Sequence, residues 1–99
     1  MSKTRPMLLD ESDLEARLRE LPAWQRQDQR LTRTLTFRNF ADALDFVNRV
    51  GKLAEEADHH PDILLHNWNQ VTLTLWTHDA GGLTMLDVSL AHKINAITG

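Results

Sequence analysis

The sequence predicts an α+β fold in which a four-stranded antiparallel sheet carries three helices on one face, in the order α-β-β-α-β-β-α. Three observations support this prediction. Helical and strand-like hydrophobic patterns follow one another in that order along 99 residues. Strands joined by short turns favour hairpins, and hairpins build antiparallel sheets. Helices with one apolar face must bury that face, and the sheet offers them a common surface.

Length and charge limit the function classes that need to be considered. The chain is 99 residues long with 41% hydrophobic residues, which is typical of a single globular domain. We expect a flexible lead over residues 1–10 and one domain over residues 11–99. The lead lacks the apolar run of a secretory signal, and no stretch reaches the roughly 20 apolar residues of a membrane span. Acidic and basic residues are interleaved at a net charge of −3, so neither nucleic acid nor membrane is an expected partner.

Cysteine is absent from the chain. This excludes a disulfide framework, thiolate metal sites and a thiol nucleophile. A chain this short and without covalent cross-links buries only a modest core, so self-association is expected. Cytoplasmic localisation is the expectation.

The first predicted element is a helix that begins at Ser12. Ser12 and Glu15 have the spacing of a capping box, and Pro22 ends the helical pattern. Three leucines carry the apolar face of this helix, namely Leu14, Leu18 and Leu21.

A hairpin is predicted next. Residues 24–27 form a short polar strand, and residues 28–30 form its turn. Residues 31–37 then alternate between apolar or long side chains and threonine, which is typical of a half-buried strand.

The second helix has the clearest pattern. Asn39 is a suitable N-cap, and Pro61 pushes His60 out of the helical region, so His60 should lie at or just beyond the helix end. One face is predicted to be apolar over the whole helix, and its members are Phe40, Ala43, Leu44, Val47, Val50, Ala54 and Ala57.

A second strand pair and a last helix complete the predicted order. Residues 63–65 and 71–78 form strands around a turn at residues 66–69, with Val71, Leu73 and Leu75 on one face. Thr84 and Asp87 have the spacing of a second capping box, and this would explain Asp87 as a purely structural residue.

Three of the five histidines lie at predicted element ends. His59 and His60 close the second helix, and His78 closes the last strand. Glu55 lies four residues before His59 and should share its helix face, while Asp58 is adjacent. A carboxylate this close to an imidazole holds it in one tautomer, so these residues are candidates for acid/base chemistry.

The histidine pair also has plainer interpretations. A cation at a helix C-terminus is stabilised by the helix dipole, by about 0.3–1 kcal/mol at an exposed site. A zinc site from His59, His78 and Asp58 is a weaker alternative, because adjacent residues rarely both bind one ion. His66 and His92 are expected to be solvated.

The motifs in order resemble the signature of the pterin-4a-carbinolamine dehydratase family. The resemblance is carried by residues 55–62, which contain Glu55 and His59-His60-Pro61, and by Trp68-Asn69, Thr77-His78 and residues 82–87. It extends over nearly the whole chain, from the first helix to the last.

The resemblance implies a reaction and a set of site residues. The implied reaction is loss of water from a 4a-hydroxytetrahydropterin to give quinonoid dihydropterin, a step in tetrahydrobiopterin recycling, without a metal or organic cofactor. It implies His59, His60 and His78 as catalytic residues, with His59 and His78 transferring protons and His60 holding the substrate. The implied substrate-binding residues are Glu55, Asp58, Pro61, Trp76, Thr77 and Asp79.

The resemblance also implies partners and one alternative. A pterin substrate, a homodimer or homotetramer and a functional link to an aromatic amino-acid hydroxylase are expected. The alternative is a non-enzymatic interaction module on the same fold, because animal relatives act as dimerisation cofactors and some photosynthetic relatives act in enzyme assembly. This sequence departs from the family at Trp76, where smaller residues are common, and at Met85-Leu86, which are unusually apolar and would suit a subunit contact.

Overall fold

The computed structural model describes residues 7–98 and confirms the predicted order of elements. The helices are α1 (Glu11–Leu18), α2 (Phe40–Ala57) and α3 (Met85–Thr98). The strands are β1 (Gln25–Gln27), β2 (Arg30–Thr36), β3 (Asp62–His66) and β4 (Gln70–Leu75), and a 3₁₀ turn covers His78–Ala80. Within residues 7–98, no helix is both long and apolar enough to cross a membrane.

The four strands form one antiparallel sheet, as predicted, and their order in it is β1-β2-β4-β3. In the central pair, Leu31 is opposite Leu75 and Leu35 is opposite Val71. Leu31, Val71 and Leu75 are fully buried beneath the helices, while the alternating threonines face the other way. The predicted burial of one face of β4 is therefore confirmed.

Helix α2 begins where the sequence predicts, and its packed face overlaps the predicted one but is rotated about the helix axis. The side chain of Asn39 accepts a hydrogen bond from the Asp42 N–H at 2.8 Å, so the predicted N-cap is confirmed. Phe40 and Leu44, predicted to be buried, are 49% and 43% exposed, whereas Phe46 is 3% exposed. The remaining buried residues of this helix, Ala43, Val50 and Ala54, were predicted correctly, so the apolar pattern located the face but not its exact centre.

Two predicted boundaries are wrong. Helix α1 begins at Glu11, because Asp10 rather than Ser12 is the N-cap and accepts from the Asp13 N–H at 2.8 Å. Both residue types suit this position, and they are only two residues apart. Strand β4 ends at Leu75, so His78 lies in the 3₁₀ turn and not at the end of a strand.

The predicted lead, residues 1–10, lies mostly outside the described residues. Of its described part, Leu9 packs against the core and donates a backbone hydrogen bond to the carbonyl of Leu83 at 3.0 Å. This bond connects the chain before α1 to the segment before α3.

One asparagine connects the sheet to the last helix. The Asn95 Oδ1 atom in α3 accepts from the Trp24 indole N–H at 2.8 Å and from the Arg33 guanidinium at 2.5 Å. Burial lowers the pKa of Arg33 from its ordinary value, which shows that this cation is partly removed from water. A partly buried donor of this kind requires an acceptor.

Asn95→Ala is expected to lower the free energy of unfolding by about 2 kcal/mol, because two partly buried donors lose their acceptor. Asn95→Asp is the matched control, since it keeps an oxygen at the same place and should retain most of the stability. Urea unfolding of the three proteins measures the difference. An Asn95→Ala protein as stable as the wild type would contradict this role.

Candidate active site

The end of α2 gives two consecutive histidines opposite environments. Asp58 adopts a left-handed conformation (φ 50°, ψ 42°), and its N–H bonds to the Glu55 carbonyl while the His59 N–H bonds to the Ala54 carbonyl. This is the pattern of a Schellman cap, which reverses the chain at a helix end. Glycine is usual there, but aspartate tolerates the conformation better than most residues. After the reversal His59 is 8% exposed, whereas His60 is exposed.

A buried carboxylate holds the His59 ring. The Asp87 side chain in α3 is fully buried, and its Oδ1 atom lies 2.6 Å from the His59 Nε2. Its Oδ2 atom accepts from the Thr77 hydroxyl at 2.7 Å and from the Thr84 N–H at 3.0 Å. The carboxylate therefore joins the end of α2, the segment after β4 and the start of α3.

The proton positions in this network follow from the number of donors. The single hydroxyl proton of Thr77 is donated to Asp87, so in the 2.7 Å contact between Thr77 and Thr84 the Thr84 hydroxyl is the donor. The carboxylate of Asp87 accepts, so the His59 Nε2 carries a proton. A neutral His59 therefore has an unprotonated Nδ1.

The Nδ1 atom of His59 is the accessible nitrogen of the ring. Within residues 7–98, every fully buried side-chain nitrogen or oxygen has a hydrogen-bond partner. The His59 Nδ1 atom has no partner among these residues, since the bond of this ring to Asp87 is made by Nε2. Nδ1 therefore belongs to the small exposed part of the ring, which lines a cleft. An imidazole with one nitrogen held by a carboxylate and the other accessible is arranged for proton transfer.

Glu55 holds His60 and not His59. The Oε2 atom of Glu55 is hydrogen-bonded to the Nε2 atom of His60, and both side chains are exposed. Glu55 was expected to share a helix face with His59, but α2 ends at Ala57 and the reversal at Asp58 carries His59 inward. The histidine beside the Glu55 carboxylate is therefore His60.

His78 lies in the 3₁₀ turn after β4 and lines the same cleft. The in-and-out alternation of β4 continues past its end, so Thr77 is buried while Trp76 and His78 face outward. The rings of Trp76 and His78 are in contact, with centroids 4.0 Å apart and planes tilted by 42°. His78 is exposed.

The three imidazoles surround one cleft of about 540 Å³. This volume lies in the range of small-molecule sites. Its lining residues are Ala57, Asp58, His59, His60, Asp62, Trp76, Thr77, His78, Asp79 and Leu86. The structure thus brings together seven of the nine predicted site residues, while Glu55 and Pro61 lie outside the lining.

Another groove, of about 600 Å³, borders this cleft at Leu86 but has a different character. It is mainly apolar, and its lining includes Met7, Leu8 and Met85 but no histidine. Its titratable side chains are the carboxylates of Asp10 and Asp13, whereas the imidazoles line the histidine cleft.

One residue has a wider role than the sequence predicted. Asp87 was expected to be explained by its capping box alone, and its side chain does accept from the Thr84 N–H, although the Thr84 hydroxyl accepts from Leu86 instead of Asp87. Asp87 also bonds to His59, 28 positions away in the chain. Among residues 7–98, no three histidine or carboxylate side chains are grouped so as to hold a metal ion.

Thr77→Val is expected to lower the free energy of unfolding by about 1–3 kcal/mol, because Asp87 loses a donor and Thr84 loses its acceptor in a buried site. Thr77→Ser, which keeps the hydroxyl, is the matched control and should stay within about 1 kcal/mol of the wild type. Denaturant unfolding measures both. Equal stability of the Val and Ser proteins would mean that the network contributes nothing.

Comparison with protein families gives a match over residues 7–97 to the family described as pterin 4 alpha carbinolamine dehydratase. Two similar proteins carry that enzyme name provisionally. The one from Thermomicrobium roseum is 51% identical over 87% of this chain and 91% of its own length. The one from Sulfolobus acidocaldarius is 42% identical over 92% of this chain and 99% of its own length.

Solved structures with the same fold are also similar. A transcriptional coactivator/pterin dehydratase from Brucella melitensis has a TM-score of 0.85 and 40% identity, over 92% of this chain and 98% of that chain. A pterin dehydratase-like RuBisCO assembly factor of the alpha-carboxysome has a TM-score of 0.61 and 23% identity, over 77% of this chain and 87% of that chain. The second likeness concerns the fold alone.

Proposed function

The chain belongs to the pterin-4a-carbinolamine dehydratase family, and from this premise we propose that it removes water from a 4a-hydroxytetrahydropterin to give quinonoid dihydropterin. The observation that supports this most strongly is the buried His59–Asp87 pair, whose free Nδ1 opens into the cleft that His60 and His78 also line.

The reaction needs both an acid and a base. The bond from C4a to its hydroxyl oxygen breaks, and hydroxide is a poor leaving group unless it is protonated as it leaves. The ring nitrogen next to C4a loses its proton, so that a C=N bond replaces the N–H and C–OH bonds and one water is released. Imidazoles can perform both transfers near neutral pH.

We assign the two proton transfers to His59 and His78. The carboxylate of Asp87 fixes the Nε2 proton of His59, and it offsets the charge that forms when Nδ1 takes up a proton. The exposed side chain of His78 is assigned the other proton transfer. One imidazole donates a proton and the other accepts one in each turnover. Proton exchange with solvent then restores the starting protonation state of both.

The other cleft residues are proposed to hold the substrate. A pterin presents N–H donors along its aminopyrimidinone edge, and carboxylate oxygens are suitable acceptors for them. Asp58 and Asp79 both line the cleft and are assigned this role, together with His60, which Glu55 orients. Pro61 lies beside the site without lining it, and we assign it a supporting role in the chain reversal after α2.

The proposed function also includes an oligomeric state, a cellular location and a source of the substrate. We propose a homodimer or homotetramer that works in the cytoplasm on a pterin produced by an aromatic amino-acid hydroxylase. Exposed apolar side chains such as Met85, which is 40% exposed, and Leu86, which is 38% exposed, favour self-association.

A second candidate is an interaction module without catalysis. It is favoured by the same exposed apolar side chains, and by the Brucella melitensis relative, whose name includes transcriptional coactivator. The intact set of three imidazoles in one cleft favours the enzyme.

His59→Ala and His78→Ala are each expected to lower dehydratase turnover by about 10² or more, since each removes a proton-transfer group. Turnover is measured by following the loss of chemically generated 4a-hydroxytetrahydropterin by its absorbance. The control is His92→Ala, because His92 is an exposed residue paired with Glu20 outside the cleft. This variant should keep wild-type turnover.

Two outcomes would contradict the proposal. If both cleft variants were as active as the wild type, the imidazoles would have no part in proton transfer. If the wild-type protein did not exceed the spontaneous rate, the interaction module would become the better account.

A further inference from the structure

The three imidazoles of the cleft are held in two different ways. His59 is bonded to Asp87, and His60 is bonded to Glu55. Neither ring nitrogen of His78 is hydrogen-bonded to any residue within 7–98, and the side chain is exposed. An exposed imidazole without a bonded partner would ordinarily sample several rotamers, which is unfavourable for a group that must meet a substrate in one geometry.

The backbone that carries His78 is well fixed. The Thr77 N–H donates to the Gly82 carbonyl at 2.8 Å, and the Thr77 hydroxyl donates to Asp87 at 2.7 Å. Because Thr77 is extended and points inward, its two neighbours Trp76 and His78 point outward on the same side. Their ring centroids are 4.0 Å apart, so the indole limits the space in which the imidazole can turn.

The indole is itself held by a neighbouring strand. Leu31 is opposite Leu75 in the β2–β4 register, so the preceding residue Arg30 is opposite the following residue Trp76. The guanidinium carbon of Arg30 lies 4.3 Å from the indole centroid, a cation–π distance. Arg30 forms no ion pair with any residue that the structure describes, so no carboxylate among them competes with the indole for its guanidinium.

We propose that Trp76 is a positioning residue that restrains the His78 imidazole by ring contact, and that Arg30 in turn restrains Trp76. This device leaves both ring nitrogens of His78 available to the substrate, which a carboxylate partner would not. The inference rests on the proposed dehydratase function for its catalytic consequence, but the ring contact can be measured independently.

A competing reading is that the indole contacts the pterin directly, because Trp76 also lines the cleft. The two readings differ kinetically. Loss of a positioning residue lowers kcat with little change in KM, whereas loss of a substrate contact raises KM.

The kinetic test compares Trp76→Leu with Trp76→Phe in the full-length protein. Trp76→Leu is expected to lower kcat roughly tenfold with KM within about twofold, since a misplaced acid/base group loses rate and not affinity. Trp76→Phe restores a flat ring and should recover most of kcat. Trp76 is only partly buried, so thermal unfolding is expected to show both variants folded.

The contact itself is tested by NMR of the histidine ring protons. The His78 signals are identified by their absence in His78→Gln, and the indole ring current should displace them in the wild type. Trp76→Leu should abolish that displacement and Trp76→Phe should keep part of it, while the signals of His92 remain in place.

The results separate the two proposals. His78 signals that do not move in Trp76→Leu would overturn the inference, and so would a rise in KM without a fall in kcat. A wild-type protein that shows the ring contact but no turnover would overturn the proposed function and the catalytic part of the inference with it.

Discussion

The site depends on the buried carboxylate of Asp87. Removing a charged group from water costs several kcal/mol unless its acceptors are satisfied. Here the imidazole of His59, the hydroxyl of Thr77 and the N–H of Thr84 supply three donors. These donors lie in the segments just after α2, just after β4 and just before α3. The cost of burial is therefore offset only when those three elements have their native arrangement. The packing of the domain and the geometry of the site are therefore enforced together.

This dependence explains the different character of the cleft histidines. His59 is the buried member, with its tautomer set by Asp87. His60 and His78 are exposed, and each is held by one surface neighbour, Glu55 or Trp76. A rigid buried group and two accessible groups around about 540 Å³ suit a reaction in which a flat substrate enters from solvent and exchanges two protons.

Much of the fold could be predicted from local patterns. The caps at Asn39 and Thr84 depend on residues within four positions of one another, and so does the alternation that buries Leu73. The prediction that failed concerns which side chains of a helix pack against the sheet, and this depends on tertiary structure. Phe46 rather than Phe40 faces the core, because packing against the sheet determines which part of the broad apolar face of α2 is buried.

The candidate site was predictable as a set of residues but not as a set of contacts. The motifs locate His59, His60 and His78, and the structure brings all three to one cleft. Because the chain reverses at Asp58, Glu55 contacts His60 and not His59. The bond from His59 to Asp87 joins residues that are far apart in the sequence, so local spacing does not predict it. The capping box accounts only for the Oδ2 atom of Asp87. The donor to Oδ1 is His59, which is distant in the sequence and close only in the folded chain.

A crystal structure with an oxidised pterin bound would locate the substrate site, because an oxidised ring occupies the site without reacting. We expect the ring between His59 and His78, with a polar ring atom within hydrogen-bond reach of the His59 Nδ1 while Nε2 remains on Asp87. A pterin bound elsewhere, such as in the apolar groove beside Met85, or a His59 Nδ1 turned away from the ring, would contradict this expectation.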